Sequence, residues 1–201
     1  HEALAAVGST ASLTGLIVNV FMGLSVGTNV LVANYYGAKD RKLVSRTVHT
    51  AILMAAVGGT VLAFLGILLA RPMLSLMGTP DNVLSKACVY MWIYFAGMPL
   101  IMLYNFGSAV MRAVGDTRRP LFFLLFAGIV NVVLNLFFVL VFHMDVAGVA
   151  LATVISQGIA AYLVIRCLMN ARDACRLKYR GLKIDPTILR NMLWIGLPAG
   201  I

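Results

Sequence analysis

The sequence predicts an all-α, polytopic membrane protein built as a transmembrane helix bundle. Of its 201 residues, 61% are hydrophobic and only 11% are charged, whereas an ordinary soluble domain is about 25% charged. The mean hydropathy is +0.94, and several long segments contain no Asp, Glu, Lys or Arg. These apolar runs are continuous rather than alternating, which favours helices over the strands of a membrane barrel.

Five predicted spans follow from these segments, because a helix needs about 20 mainly apolar residues to cross the hydrocarbon core. We expect the spans at about residues 8–35, 47–70, 85–111, 120–143 and 147–167. Residues 1–168 would form one transmembrane unit, 169–187 a basic cytoplasmic linker, and 188–201 the start of the next transmembrane helix. The sequence has no initial Met and ends within an apolar segment, so we expect a fragment of a larger membrane protein.

Basic residues accumulate in alternate loops. Of the 16 Lys and Arg residues, 14 fall in the segments 37–46, 112–119 and 166–190. Retention of Lys and Arg in the cytoplasm explains such a bias. We therefore expect a multi-pass protein of the inner or plasma membrane with these three segments in the cytoplasm. This topology accounts for the net charge of +9. The sequence has no basic face with interleaved aromatic residues, so we expect no nucleic-acid partner.

The sequence shows no sign of an enzyme or of a bound cofactor. Cys88, Cys167 and Cys175 lack CxxC spacing, and neither His49 nor His143 has a visible ligand partner, so no metal site is expected. No phosphate-binding Gly-x-x-x-x-Gly-Lys-Ser/Thr loop occurs. No set of His, Cys, Ser and carboxylate side chains converges within the spans.

A series of short motifs carries a family resemblance. The segment GLSVGTNVLVANYYGAKD, residues 23–40, resembles the multidrug and toxic compound extrusion (MATE) family. Further matches in the family's order are MRAVGDTRRP at 111–120, NVVLN at 131–135, AGVALATVISQG at 147–158 and IGLPAG at 195–200. The resemblance implies a 12-helix transporter with two six-helix lobes. This chain would hold helices 2 to 6, the connecting loop and the start of helix 7, and its partner would be the missing C-terminal lobe.

The resemblance also implies a function, which is secondary active efflux of small organic cations or amphipathic compounds across the lipid bilayer. Na⁺ or H⁺ would be the coupling ion of an alternating-access antiporter. Some family members use acidic residues in helices 1 and 6, but the matching stretch GVALATVISQ, residues 148–157, contains no acid. The coupling acid therefore lies outside this chain, or Asp145 serves.

Two alternative functions stay open at this point. A lipid-linked oligosaccharide or lipid II flippase of the same superfamily would need cationic side chains in its cavity to meet phosphate groups. The sequence has no Arg or Lys in the middle of its spans, which favours the drug exporter. A non-transporting membrane scaffold protein would not need clustered polar residues on inner helix faces.

Neutral polar residues within the spans are the candidates for lining a substrate cavity. Amides and hydroxyls are costly against lipid, so they should face the bundle or a wet cavity. Asn131 and Asn135 are four residues apart and share one helix face, and Thr153, Ser156 and Gln157 form a polar face on the fifth span. The candidates are Asn19, Asn29, Asn105, Asn131, Asn135, Ser156 and Gln157. Simple interhelical hydrogen bonding is the alternative.

The turn after the first span and a proline in the third have structural roles. Gly37 is expected to permit a tight helix exit with a positive φ, followed by Lys39 and Asp40 in a short rigid connector. Lys39 would hold this connector at the anionic inner leaflet. Pro99 lies within the third span and is expected to kink it, which makes it a hinge candidate.

Overall fold

The computed structural model describes the backbone of residues 2–200 and the side chains of residue 15 and residues 18–200. Within this range the chain forms seven α-helices, one short 3₁₀ turn and no strand. The elements are α1 Glu2–Gly37, α2 Arg41–Leu76, α3 Asp81–Ala96, α4 Met98–Ala113, α5 Arg118–Leu140, α6 Val146–Met169, the 3₁₀ turn Tyr179–Gly181, and α7 Pro186–Gly200. The predicted all-α bundle is confirmed.

Four helical segments of the described residues are long and apolar enough to cross a membrane. They are Arg41–Leu76, Asp81–Ala113, Arg118–Leu140 and Val146–Met169. Only 6% of the most apolar stretch of α5 is buried inside the chain, so most of its side chains are available to lipid. The predicted span at about 8–35 lies in α1, and part of it falls outside the residues whose side chains are described.

The segment Asp81–Ala113 is one span interrupted at Gly97. The N–H groups of Leu100 and Ile101 both donate to the carbonyl of Gly97 at 3.1 Å, so α4 starts a new set of helical hydrogen bonds at this residue. Pro99 lies in the first turn of α4, where a missing N–H costs little. The expected interruption is therefore present two residues before Pro99, while a hinge function of Pro99 stays a prediction.

The helices pack in a continuous series across the bundle. Helix α1 contacts α2, α4 and α7, α2 contacts α3 and α4, and α6 contacts α3, α4 and α5. Two apolar clusters form the core. One includes Leu24, Met102, Phe106 and Met192, and the other includes residues of the basic linker, among them the buried Leu177. The linker is thus packed into the end of the bundle.

Helices α1 and α7 approach each other closely along a seam of glycines. A Cβ added at Gly27 would lie 2.7 Å from the carbonyl oxygen of Met192, and one at Gly196 would lie 2.7 Å from the Cα of Leu24. Gly23 and Gly200 lie one turn along the same seam and face the same kind of backbone contact. Small residues permit close helix approach in membranes, so this seam depends on the missing side chains.

The turn between α1 and α2 differs from the prediction, because the positive φ belongs to Lys39 (58°) and not to Gly37. Gly37 is the last residue of α1. The N–H of Asp40 donates to the carbonyl of Tyr35 and that of Lys39 to Tyr36, both at 3.0 Å, which is the Schellman pattern with the left-handed residue after the helix end. Asp40 then caps α2 by accepting the N–H of Leu43 at 3.0 Å.

The three basic segments lie at the same end of the bundle. One cavity is lined by Tyr36 at the end of α1, Asp116 before α5 and Arg172 after α6, so these connections are neighbours. At the start of α3 and of α6, Lys86 and Asp145 form an ion pair, which joins the connections of the opposite end. The alternation of loops follows the order expected from the basic residues.

The glycine seam provides a test with a matched control on the same helix. We expect Gly27→Val to destabilise the full-length protein by about 1–3 kcal/mol, because the new side chain overpacks the contact with α7. Gly37→Val should change stability by less than about 0.5 kcal/mol, since nothing lies within 4 Å of its Cβ position and surface substitutions are usually within that range. Thermal unfolding in detergent measures both changes. Equal losses of stability in the two variants would contradict the proposed role of the glycine seam.

Candidate functional site

Four neutral polar residues meet between α5 and α6, and we call them the polar cluster: Asn131, Asn135, Thr153 and Ser156. The amide nitrogen of Asn131 donates to Ser156 Oγ at 3.1 Å and to Thr153 Oγ1 at 3.4 Å. The amide nitrogen of Asn135 donates to Asn131 Oδ1 at 2.9 Å. The polar cluster therefore forms one connected network across the two helices.

Helix periodicity explains why these residues meet. Asn131 and Asn135 are one turn apart on α5 and share a face, while the apolar residues on its other faces are exposed. The hydroxyl of Thr153 donates to the carbonyl of Val149 at 3.0 Å. The hydroxyl of Ser156 donates to the backbone carbonyl of Thr153 at 2.8 Å. Both hydroxyl hydrogens are thus used within α6, which leaves the oxygens free to accept from Asn131.

One acceptor of the polar cluster is left unpaired. The Oδ1 atom of Asn135 is buried and has no hydrogen-bond partner among the described residues. A buried polar atom without a partner costs about 1–3 kcal/mol of stability. A hydrogen-bond donor that reaches this oxygen would remove that cost. An amide oxygen accepts from N–H or O–H groups and also coordinates hard cations.

The other sequence candidates do not join the polar cluster. Asn29 donates to the carbonyl of Ala109 at 2.9 Å and so links α1 to α4. Asn105 donates to Ile101 within its own helix at 2.8 Å. Asn19 is exposed, and Gln157 is half-buried beside Ser156. The structure brings together Asn131, Asn135 and Ser156, with Thr153 from the predicted polar face.

Asp145 does not have the environment of a proton-binding carboxyl. Its side chain is 70% exposed, and Lys86 Nζ lies 2.7 Å from its Oδ2 atom. The hydrogen bond from Lys86 and its positive charge lower the pKa of the Asp145 carboxyl below its ordinary value. Asp145 therefore stays ionised down to lower pH than an ordinary Asp. Among the described residues, no three His, Cys, Asp or Glu side chains are grouped to hold a metal ion.

His49 has a structural connection that sequence reasoning missed. It is buried, with its Nδ1 atom 2.6 Å from the carbonyl oxygen of Ser45, and its Nε2 atom lies 3.0 Å from the backbone nitrogen of Lys178. Since the N–H of Lys178 must donate, Nε2 accepts and Nδ1 carries the hydrogen. No spacing signal in the sequence connects residues that are 129 positions apart.

Two further contacts join α2 to the linker near His49, and we call the set His49–Lys178, Thr50–Asp185 and Arg46–Asp185 the linker joint. Thr50 Oγ1 accepts the N–H of Asp185 at 3.2 Å, and Arg46 lies 3.5 Å from the Asp185 carboxylate. Asp185 also caps α7 by accepting the N–H of Thr187 at 3.0 Å. The start of α7 is therefore fixed to α2.

A cavity of about 1060 Å³ lies at the basic end, between the α4–α5 connection, the end of α6 and the linker. Its lining mixes aromatic residues, such as Phe122, with charged residues, such as Arg119 and Asp173. Cys175 also lines it and is 4% exposed. Burial, with a smaller effect of the nearby Asp173 charge, raises the pKa of the Cys175 thiol to about 11.

Sequence comparisons relate the chain to known membrane proteins. The MatE family model matches residues 1–137. The probable multidrug resistance protein YoeA of Bacillus subtilis is 32% identical, over 100% of this chain and 45% of that protein. The probable multidrug resistance protein YpnP of the same organism is 35% identical, over 98% of this chain and 43% of that protein. The chain thus spans about half the length of the curated relatives it matches.

Solved structures give the same result for the fold. A crystal structure of MATE in the bent conformation matches with a TM-score of 0.86 and 25% identity, covering 99% of this chain and 45% of that one. An outward-facing MATE transporter matches with a TM-score of 0.85 at 24% identity, covering 98% of this chain and 44% of that one. An inward-facing MATE transporter matches with a TM-score of 0.84 at 24% identity, covering 94% of this chain and 43% of that one.

The environment of Cys175 predicts that its thiol reacts slowly with alkylating reagents and that the rate depends strongly on pH. Only the thiolate reacts with N-ethylmaleimide, and with a pKa near 11 little thiolate is present at pH 8. We expect Cys175 to react about 100-fold more slowly than an ordinary thiol at pH 8, with a rate that rises about tenfold per pH unit toward pH 10. Mass spectrometry of the Cys175 peptide measures this rate.

The same protein unfolded in detergent at high temperature is the control for Cys175. Its labelling should reach the rate of a free thiol, because the burial is lost. A rate in the folded protein that equals the unfolded rate at pH 8 would show that the linker does not cover this side chain.

Proposed function

This chain belongs to the MatE family of multidrug and toxic compound extrusion transporters, and we propose that the full-length protein exports small organic cations or amphipathic compounds. The transport would be secondary active, by antiport against Na⁺ or H⁺. The chain would supply most of the first of two lobes, and the second lobe would come from the rest of the protein.

One observation carries this proposal. The chain matches MATE transporters over almost its full length, and these have been solved in inward-facing and outward-facing conformations. A protein that alternates between two such conformations can carry a substrate across the membrane without opening a channel. The relatives named multidrug resistance proteins support a drug as substrate.

The polar cluster is our candidate for substrate contact within this lobe. The unpaired Oδ1 atom of Asn135 is an acceptor that an ammonium or amide donor of a drug would satisfy. The adjoining faces of α5 are apolar and exposed in this chain, so they would offer apolar contacts to the remaining part of the drug. No described Lys or Arg lies in the middle of α5 or α6, which favours a cation over a phosphate-bearing lipid.

The coupling ion would bind outside the described part of this chain. The spans α5 and α6 contain no Asp or Glu, and Asp145 is exposed and paired with Lys86. A proton-coupling carboxyl usually needs burial that raises its pKa, and the pKa of Asp145 is lowered. We therefore propose that the coupling acid lies outside the part of the chain whose side chains are described.

The membrane orientation follows from the basic residues. We propose that the full-length protein lies in the inner or plasma membrane with segments 37–46, 112–119 and 166–190 on the cytoplasmic side. The linker joint then lies at the cytoplasmic surface. It would transmit the position of the first lobe directly to the start of α7 when the lobes rock.

Transport by the full-length protein tests the proposal directly. In proteoliposomes, we expect ethidium or norfloxacin to move when a Na⁺ gradient or a pH gradient is imposed alone, because the antiporter takes its energy from one of these ions. The gradient that drives flux identifies the coupling ion. Fluorescence of the drug measures the movement.

The control is the same vesicle preparation with the gradient collapsed by an ionophore. Loss of flux in the control assigns the energy to the gradient. If well-folded protein shows no flux with either ion, the drug-export proposal fails, and the lipid-linked oligosaccharide or lipid II flippase becomes the first candidate. A protein that moves neither drug nor lipid would point to the membrane scaffold.

Substitution of Asn135 tests the polar cluster. We expect Asn135→Leu to reduce drug flux at least about tenfold, because it removes the unpaired acceptor, which a charged ligand donor would meet with a strong hydrogen bond. Its stability should change by less than about 1 kcal/mol, since Asn135 bonds only to Asn131 within α5 and the substitution also removes a buried acceptor without a partner. Flux in proteoliposomes and thermal unfolding measure the two effects.

Asn105→Leu is the matched control, because Asn105 is also an amide within a span but lies outside the polar cluster, where it donates to the carbonyl of Ile101. We expect it to retain flux. Equal flux in the two variants would remove Asn135 from the proposed substrate site, whereas the general transport proposal would still stand on the gradient experiment.

A further inference from the structure

A cleft of about 490 Å³ lies at the basic end of the bundle, between the first turns of α2 and the linker. We call it the linker cleft. Arg46 and His49 line it from α2, and Lys178, Gly181, Lys183 and Asp185 line it from the linker. The two walls come from distant parts of the chain, so the cleft exists only while the linker is packed on α2.

The floor of the linker cleft is rigidly built. His49 is only 5% exposed, and its Nε2 atom fixes the backbone of Lys178 at 3.0 Å. A Cβ added at Gly181 would lie 3.4 Å from this same Nε2 atom, so the linker backbone passes directly over the imidazole. Thr50 fixes the backbone of Asp185 at the other end of the segment.

The charges that line the linker cleft are unbalanced. Three cationic side chains, those of Arg46, Lys178 and Lys183, share it with the single carboxylate of Asp185. That carboxylate already accepts the N–H of Thr187 and lies beside Arg46. Within the described residues, Lys178 and Lys183 have no ion-pair partner. Like charges held together by the fold attract an anion.

The position of the linker cleft indicates which anion is available. It lies at the end of the bundle where basic residues accumulate, and this end faces the anionic lipids of the inner leaflet in our orientation. Ile184 lines the cleft and is 42% exposed, which offers an apolar contact beside the cations. Arg and Lys side chains bind phosphate through charge-assisted hydrogen bonds.

We propose that the linker cleft binds the phosphate group of an anionic phospholipid, with Lys178 and Lys183 as the principal ligands and Arg46 as a third cation. The bound phosphate would bridge α2 and the linker and so strengthen the packing of the linker on the first lobe. This site is separate from the polar cluster, and binding is measured on the resting protein. Its failure would therefore leave the transport proposal intact.

Native mass spectrometry of the full-length protein tests the site with phosphatidylglycerol and phosphatidylcholine as probes. We expect phosphatidylglycerol adducts on the wild-type protein and at least about tenfold weaker binding to the variant Lys178→Gln/Lys183→Gln, since each basic residue near an anionic headgroup contributes about 1 kcal/mol. The control variant Lys42→Gln/Arg176→Gln removes the same charge from exposed residues at the same end of the bundle that do not line the cleft.

The outcomes separate a built site from general attraction. Equal loss of adducts in both variants, or equal binding of both lipids to the wild-type protein, would overturn the proposal. Competition with millimolar inorganic phosphate identifies the source of the group. Retention of the phosphatidylglycerol adducts supports the lipid, whereas complete displacement would show that soluble phosphate outcompetes the lipid for the cleft and would overturn the lipid as its principal ligand.

The variant His49→Phe tests the assembly of the cleft, because it removes the acceptor that fixes Lys178. We expect weaker phosphatidylglycerol binding although no Lys or Arg is removed, and His49→Gln should restore part of this binding by supplying an acceptor oxygen. If His49→Phe does not fold, the lysine pair and its control still decide the proposal.

Discussion

The constraint on which the structure depends is that lipid offers no hydrogen-bond partner to the backbone. Every N–H and carbonyl within the hydrocarbon core must be satisfied inside the chain, and the α-helix does this without a neighbour. At three places where a helix begins or is interrupted, specific groups supply hydrogen bonds. Asp40 and Asp185 accept N–H groups at the starts of α2 and α7, and the carbonyl of Gly97 accepts two N–H groups where the third span is interrupted.

The same solvent leaves little hydrophobic force to bring helices together, because lipid tails are as apolar as the side chains. Close backbone approach and polar contacts then decide which helices pair. Helices α1 and α7 pair through the glycine seam at Gly27 and Gly196. Helix α5 has few buried residues, and the amide of Asn131 joins it to Thr153 and Ser156 of α6.

The linker between α6 and α7 is an integral part of the described bundle. Its buried residues, among them Cys175 and Leu177, enter the core formed by the helices, and the linker joint fixes both its middle and its end to α2. The start of α7 is therefore fixed to α2 by Thr50 and Arg46.

The sequence by itself determined the helical class, the order of the apolar segments and the grouping of the basic loops at one end of the bundle, because hydropathy and charge act on each segment independently of its neighbours. It also placed Asn131, Asn135, Thr153 and Ser156 on polar faces, since helical periodicity requires only the spacing along the chain. The family followed from motifs that recur in a fixed order, and the comparisons confirmed it.

Only the tertiary structure decided which of these faces meet and which distant residues pair. Asn29 and Asn105 look equivalent to Asn131 in sequence, yet one bonds to α4 and the other to its own helix. The left-handed residue is Lys39 rather than Gly37, because the helix end is set by hydrogen bonds that run past the glycine. His49 carries no local signal, since its partner Lys178 is brought to it by the packing of the linker. Contacts of this kind depend on three-dimensional distance, which a single sequence does not contain.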